Sequence, residues 1–496
     1  MNGRWVKLKK GLECPKDEDA DYKNTQWCNR DLIPIPLDRR TYHAWSYLGF
    51  WTVSGSNISS WSIGSTLLAF GLSPAQAIGV VILGGFLAGC LAIAAGWPGA
   101  QHHIGFTVSS RFTWGLRGSY FPVILRTFVG TMWFGIQAYW GGQATRVALG
   151  ALIPGLAHLP NTFSASSHLE TKDFIGFVIW MCAFIPALLI KPERLQVPFV
   201  VCFFLFCASC FGILIWSVST AHGAGPLFHK TTEAPNLGWA FMFGITSVLG
   251  AWGGGIVGQS DWTRYAKAKH SPTISQLIGT PLTIGVTAII GIVATSASNK
   301  ILGGEIIWNP IFLLAAAQEH YHSSSAVRAG VFFAGIGPWQ LLSTATKFLT
   351  VLSGFGVVLA PLTGILLADY HIIKRRRLNL NDLYIGDASS TYWYSYGFNW
   401  RPVLVLFLSI WPGLPGLVAT ANGYTDPKYD VWKHVYNIIF VLGLSISFVL
   451  FTTISYLFPA GGLNVDAPFI SGQAFDVLDG VDHKQDAEEV ISGEKI

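Results

Sequence analysis

SPAQAIGVVILGGFLAGCLAIAAGW, residues 73–97, runs for twenty-five positions without an Asp, Glu, Lys or Arg. An α-helix rises about 1.5 Å per residue, so about twenty apolar residues span the roughly 30 Å hydrocarbon layer of a bilayer. This stretch therefore reads as a membrane helix. Runs of the same kind occupy 43–70, 120–153, 173–190, 196–221, 238–258, 274–298, 344–371, 400–420 and 434–458, with a shorter one at 326–343. By length alone they make about ten or eleven membrane helices. The expected fold is all-α and integral to the membrane.

Composition agrees. The 496 residues are 51% hydrophobic and only 12% charged, where a soluble domain is about a quarter charged. Gly and Trp are abundant, as helix packing and membrane interfaces demand. The net charge of +5 comes from basic residues in short loops between apolar runs, which does not read as nucleic-acid binding. Five of the seven Cys, including the Cys207-x-x-Cys210 pair, lie within apolar runs, so neither a metal site nor a disulfide framework is expected, and no cofactor motif is visible. The first forty residues are polar and basic, unlike a cleavable signal peptide.

Basic residues mark cytoplasmic loops. Arg4, Lys7, Lys9, Lys10, Arg39 and Arg40 precede the first run; Arg111 and Arg117 follow the second. Lys191 and Arg194 follow the fourth, and Arg264, Lys267 and Lys269 follow the sixth. The alternate loops carry little beyond Lys172, Lys230 and Lys300. The N-terminus is thus expected in the cytoplasm. A conflict then appears, because Lys374, Arg375, Arg376 and Arg377 require an even number of crossings after Lys300 and before the 344–371 helix. Only 326–343 is available, and it holds Arg328 and the breaker Gly337-Pro338. Either this segment is re-entrant or lies on the surface, or a piece of the pattern is missing.

Carrier sites favour interrupted helices, whose freed backbone groups can meet a ligand. Two such interruptions are expected, at Ser54-Gly55-Ser56-Asn57 in the first run and at Gly250-Ala251-Trp252-Gly253-Gly254-Gly255 in the sixth. First and sixth is the spacing of a five-plus-five repeat. The bland reading is that the glycines only let helices pack closely. In the third run, Trp133 and Gln137 stand four apart on one helix face. An amide in lipid is costly without a partner, and its adjacent acceptor and donor match the –NH–CO– edge of a pyrimidinedione or hydantoin ring. Trp133 and Trp252 could stack on the two faces of that ring. A Trp used for packing, with a Gln bonded to backbone, is the plain alternative. Asn57 is a further polar candidate.

The chain resembles the nucleobase–cation symporter family, in its fungal branch of uracil, uridine and allantoin permeases. The resemblance rests on Asn29 to Pro36, Arg40-Thr41-Tyr42 and Phe50-Trp51; on His103 to Phe106, Arg111 and Gly115 to Ser119; and on Ser260 to Tyr265. It continues through Pro338-Trp339-Gln340, Ala368-Asp369-Tyr370, and Lys374 to Arg377 with Asp382-Leu383-Tyr384. It implies a LeuT-like five-helix inverted repeat plus two C-terminal helices, twelve in the family. On this chain the repeats would be 43–221 and 238–371, followed by the pair at 400–458. A cytoplasmic tail (1–42) and an acidic one (459–496) would flank them. It implies substrate contacts at Asn57, Trp133, Gln137, Ala251 and Trp252, an outer gate at Phe348 and Leu349, and a cation position at the backbone of Val53 and Ser56. Transport would be import across the plasma membrane by alternating access, coupled to H+. The partners would be a planar heterocycle and the lipid bilayer, with Lys484 and Lys495 open to ubiquitin.

One departure stands out. From Trp308-Asn309-Pro310 the chain passes through Phe332 to Gly335 directly to Pro338-Trp339-Gln340. Most of the family's eighth helix and the start of its ninth are absent, at the point where the loop charges conflict. A transport-inactive form or a non-transporting receptor is therefore the second reading. An intramembrane enzyme is not expected: there is no HExxH, no GxSxG and no paired intramembrane carboxylate, and His102-His103 and His320-Tyr321-His322 fall in loops. A channel would show charged rings or repeated filter loops, and neither is visible.

Overall fold

The first apolar run does not form one helix. In the computed structural model it is split into α1 (Ala44–Gly55) and α2 (Ile58–Ala69). Asn57 makes the break. Its side-chain oxygen accepts the Ser60 N–H at 3.0 Å, and its amide donates to the Ser54 carbonyl. The Ser60 hydroxyl donates to the Gly55 carbonyl. Helix ends leave N–H and C=O groups unpaired, and here short polar side chains satisfy them locally. The structure describes residues 25–164, 167, 169–188, 196–229, 232–321, 324–335, 345–461 and 466–467.

The stretch at 73–97 lies within α3 (Pro74–His102), opened by a reciprocal Ser73–Gln76 capping box with proline in its first turn. Then follow α4 (Phe106–Trp114), α5 (Tyr120–Leu152), α6 (Thr171–Ala187), α7 (Gln196–Ala221), α8 (Leu237–Val257) and α9 (Ser271–Ile301). Two helices of eleven residues each come next, α10 (Pro310–His320) and α11 (Ser325–Gly335). The series ends with α12 (Ala345–Leu367), α13 (Trp400–Ile410), α14 (Leu414–Ala421) and α15 (Ile439–Leu457). Among the described residues seven helical stretches are each long and apolar enough to cross a membrane, with α13 and α14 together making one of them. The halves of the first run, twelve residues each, are too short to be among them.

The expected interruption of the sixth run is a correction. α8 runs unbroken through Gly250 to Gly255. A Cβ at Gly250 would stand 2.0 Å from the Leu352 carbonyl oxygen, and one at Gly253 would stand 3.0 Å from Leu359. These glycines let α8 lie directly on α12, which is the small-residue packing of membrane helices. The 400–420 run is in turn divided, because Pro412 and Pro415 interrupt the helix between α13 and α14.

Two groups of helices result. α1, α2, α3, α8 and α9 pack on one another, and α12 joins them through α8. α5 packs instead on α6 and α11. Eleven residues of α11 extend about 16 Å, roughly half the hydrocarbon thickness. Arg328 of α11 lines a cavity of about 370 Å³ with Arg146, Val147 and Gly150, so α11 covers the later half of α5.

Candidate transport site

Three helices supply the expected site. On α5, Trp133 and Gln137 lie on one face, as their spacing requires. Both are half-buried. The Trp133 ring meets Phe355 of α12 edge-on, with centroids 5.7 Å apart. Among the described residues Gln137 has no hydrogen-bond partner. On α8, Trp252 is 7% exposed, and Ala251 beside it is half-buried. Trp133 and Trp252 make no ring contact with each other among the described residues, while α5 reaches both α8 and α12.

The break between α1 and α2 supplies backbone. Ser56 ends α1 with its N–H on the Thr52 carbonyl at 3.1 Å, and Val53 lies inside α1. The Asn57 side chain, expected to face substrate, is occupied as a helix cap. The Gly55 Cα faces Thr283 of α9 so closely that a Cβ would stand 2.1 Å from its hydroxyl. Leu349 is fully buried in α12, and its carbonyl accepts the Ser247 hydroxyl at 3.5 Å. Phe348 belongs to the first turn of α12, and its side chain lies outside the described residues.

Two features escaped the sequence. Phe355, 6% exposed, stands seven residues after Phe348 on the same helix face, so its spacing was there to be read. The Ser247 and Ser353 hydroxyls pair at 2.9 Å and pin α8 to α12. No pattern within either helix announces that contact.

The motifs that carried the resemblance converge at one end of the helices. Arg111, 3% exposed, donates to the carbonyls of Trp27 and Leu383 at 2.7 and 2.8 Å. The Tyr384 hydroxyl donates to the Leu32 carbonyl at 2.8 Å, and the Ile35 N–H to the His103 carbonyl at 3.0 Å. Tyr42 and Tyr265 join through backbone at 2.9 Å. Beneath them Lys374 and Asp369 form a buried ion pair at 2.5 Å, and the Thr113 hydroxyl donates to the same carboxylate at 2.8 Å. A charge pair so placed is tolerated only because each member satisfies the other.

A broken first helix, an amide and aromatic rings between two helix groups, and one end strapped by the N-terminal segment define a multi-pass membrane carrier. The sequence profile of the permeases for cytosine/purines, uracil, thiamine and allantoin matches residues 34–337 and 334–443. An uncharacterized permease of Schizosaccharomyces pombe is 32% identical, over 87% of this chain and 80% of its own. The uracil permease of Saccharomyces cerevisiae is 27% identical, over 88% and 77%. Among solved structures, the inward-facing conformation of Mhp1 superposes with a TM-score of 0.64 at 18% identity, over 92% of this chain and 98% of that one.

The chain belongs to this permease family. Its fold is that of Mhp1, a nucleobase-cation-symport-1 family transporter. The expectations of an all-α LeuT-like membrane fold and of a transporter rather than an enzyme are borne out.

Proposed function

We propose that this permease imports a planar heterocycle with an –NH–CO– edge, a nucleobase or a related ring such as uracil, allantoin or uridine. The observation that carries this is Gln137. It is a half-buried amide on an apolar helix, without a protein partner among the described residues, one turn from Trp133. An amide so placed is stabilised by a ligand that offers it a donor and an acceptor together. Trp133 and Trp252 supply ring faces to either side. Ala251 and the backbone freed at the Asn57 break complete the contacts, and Phe348 and Leu349 close the outer side. The membrane is the plasma membrane, with the strapped end in the cytoplasm, because that end carries Arg39, Arg40, Arg111, Arg264 and the 374–377 basic run. Coupling to H+ follows the family resemblance, with the Val53 and Ser56 backbone as the alternative cation position. Lys484 and Lys495, as acceptors of ubiquitin, lie outside the described residues.

A second reading is that the chain as it stands does not transport. Two observations favour it. The profile matches in two stretches that meet at 334–337, where the loop charges fail to alternate. The alignment to the S. pombe permease runs 479 positions while using 87% of a 496-residue chain, so the relative has residues with no counterpart here.

Uptake of labelled uracil and allantoin in permease-null yeast separates the readings. The tagged chain is measured beside a version with a full eighth helix restored from a relative. Saturable uptake by the unaltered chain supports the first reading. Uptake only after restoration, with equal plasma-membrane signal, supports the second. No uptake by either sinks both substrate assignments.

A further inference from the structure

We propose that Arg126 and Asp261 form a latch that closes the strapped end of the site, making them positioning residues for the transport cycle. This rests on the alternating-access reading above. Arg126 lies on α5, seven residues before Trp133 and eleven before Gln137, so all three share one helix face. It sits about two turns, roughly 10 Å, below the stacking ring. Asp261 lies just beyond the end of α8, the helix that carries Trp252. The two side chains meet at 2.7 Å, at 29% and 33% exposure. The pair therefore joins the two helices that bear the two rings, on the side through which substrate would leave.

The seat is built for this pair. The second oxygen of Asp261 accepts the Phe106 N–H at 2.7 Å, at the start of α4, where the preceding residue is a glycine that offers no side-chain cap. The Arg126 guanidinium lies 4.8 Å from the Phe106 ring centroid. A Cβ at Gly258 would stand 1.9 Å from an Arg126 nitrogen, and one at Gly105 would stand 2.8 Å from the Asp261 carboxylate. Both glycines give the charged groups the space they occupy. The guanidinium thus fills the gap between α5 and the end of α8. Elsewhere α8 packs mainly on α3 and α12, so this polar contact ties together the two helix groups that must move apart for release. Opening requires the pair to separate, and its strength sets the balance between closed and open forms.

Thiol accessibility tests the latch without requiring uptake. Val129, 8% exposed, lies between Arg126 and Trp133 on the same face. Val129→Cys is the reporter, and Lys267→Cys, in the exposed loop at the same end, is the control. Labelling by a membrane-impermeant maleimide is followed in sealed vesicles of both orientations, with each site read by mass spectrometry. From the side that labels Lys267→Cys, Arg126→Gln and Asp261→Asn should each speed Val129→Cys labelling roughly fivefold or more, the low end of two-state couplings. Arg126→Lys should keep it slow. Unchanged labelling in the neutral variants overturns the latch, as does Arg126→Lys labelling as fast as Arg126→Gln. If Lys267→Cys labels from the extracellular side, the orientation fails instead, and the rate comparison still decides the latch.

Discussion

Gln137 is a half-buried amide one turn from Trp133 on α5, and it reads the ring edge only if Trp133 holds the ring beside it. Trp133→Ala in a transport-competent form should therefore weaken binding by about 1 kcal/mol, roughly fivefold in Kd, the usual worth of an aromatic pair. Competition of labelled uptake by unlabelled substrate measures it. Cys28 offers a separate check on the strapped end. Burial pushes its thiol up to about 11, against the opposing pull of Arg111. At pH 8 only about one molecule in a thousand would carry the thiolate, the reactive form. Cys28 should resist maleimide in the folded protein and react after denaturation; ready reaction in the folded protein would show that the segment around Trp27 is not held down. At this scale the Trp133–Gln137 pair was legible because four residues make one helix turn. The cap role of Asn57 was not, because the same side chain serves a ligand or a helix end equally well.

Among the helices, the interruption of the first run could be read from Ser-Gly-Ser-Asn, since three short polar side chains compete locally with helix hydrogen bonds. The glycines of the sixth run misled. Glycine supports both an unwound backbone and the closest approach of two helices, and only the position of the Leu352 carbonyl separates the two. The distinction is testable. Gly250→Leu should push α8 off α12 and lower stability in detergent by about 1–3 kcal/mol. Gly255→Ala, which meets nothing within 4 Å, should be neutral or slightly stabilising. Thermal unfolding of the two variants checks this. Equal tolerance at both positions would mean that the stretch is not a packing seam.

For the whole molecule, loop charge and the family motifs led to the same place, 326–343, by different routes. Charge counts crossings, and motifs count missing pieces. Neither could say what stands opposite α5, because that depends on tertiary contacts of a segment with two breakers and one Arg. The structure places α11 against the later half of α5, and restoring a full helix there should give saturable uptake at equal plasma-membrane signal. The convergence of Arg111, Arg264, Lys374 and Tyr384 at one end was likewise hidden in sequence, where they stand up to 273 positions apart. Charge alone had assigned most of these residues to one side of the membrane, yet it could not reveal that Arg111, Arg264 and Tyr384 each bond to the N-terminal segment.

The most direct measurement is saturable uptake of labelled uracil and allantoin by the helix-restored chain, with and without Gln137→Ala, at matched plasma-membrane levels. The ring edge loses its amide partner in the variant, so saturable uptake should disappear. Uptake by Gln137→Ala with unchanged affinity would remove this residue from the site and contradict the proposed recognition.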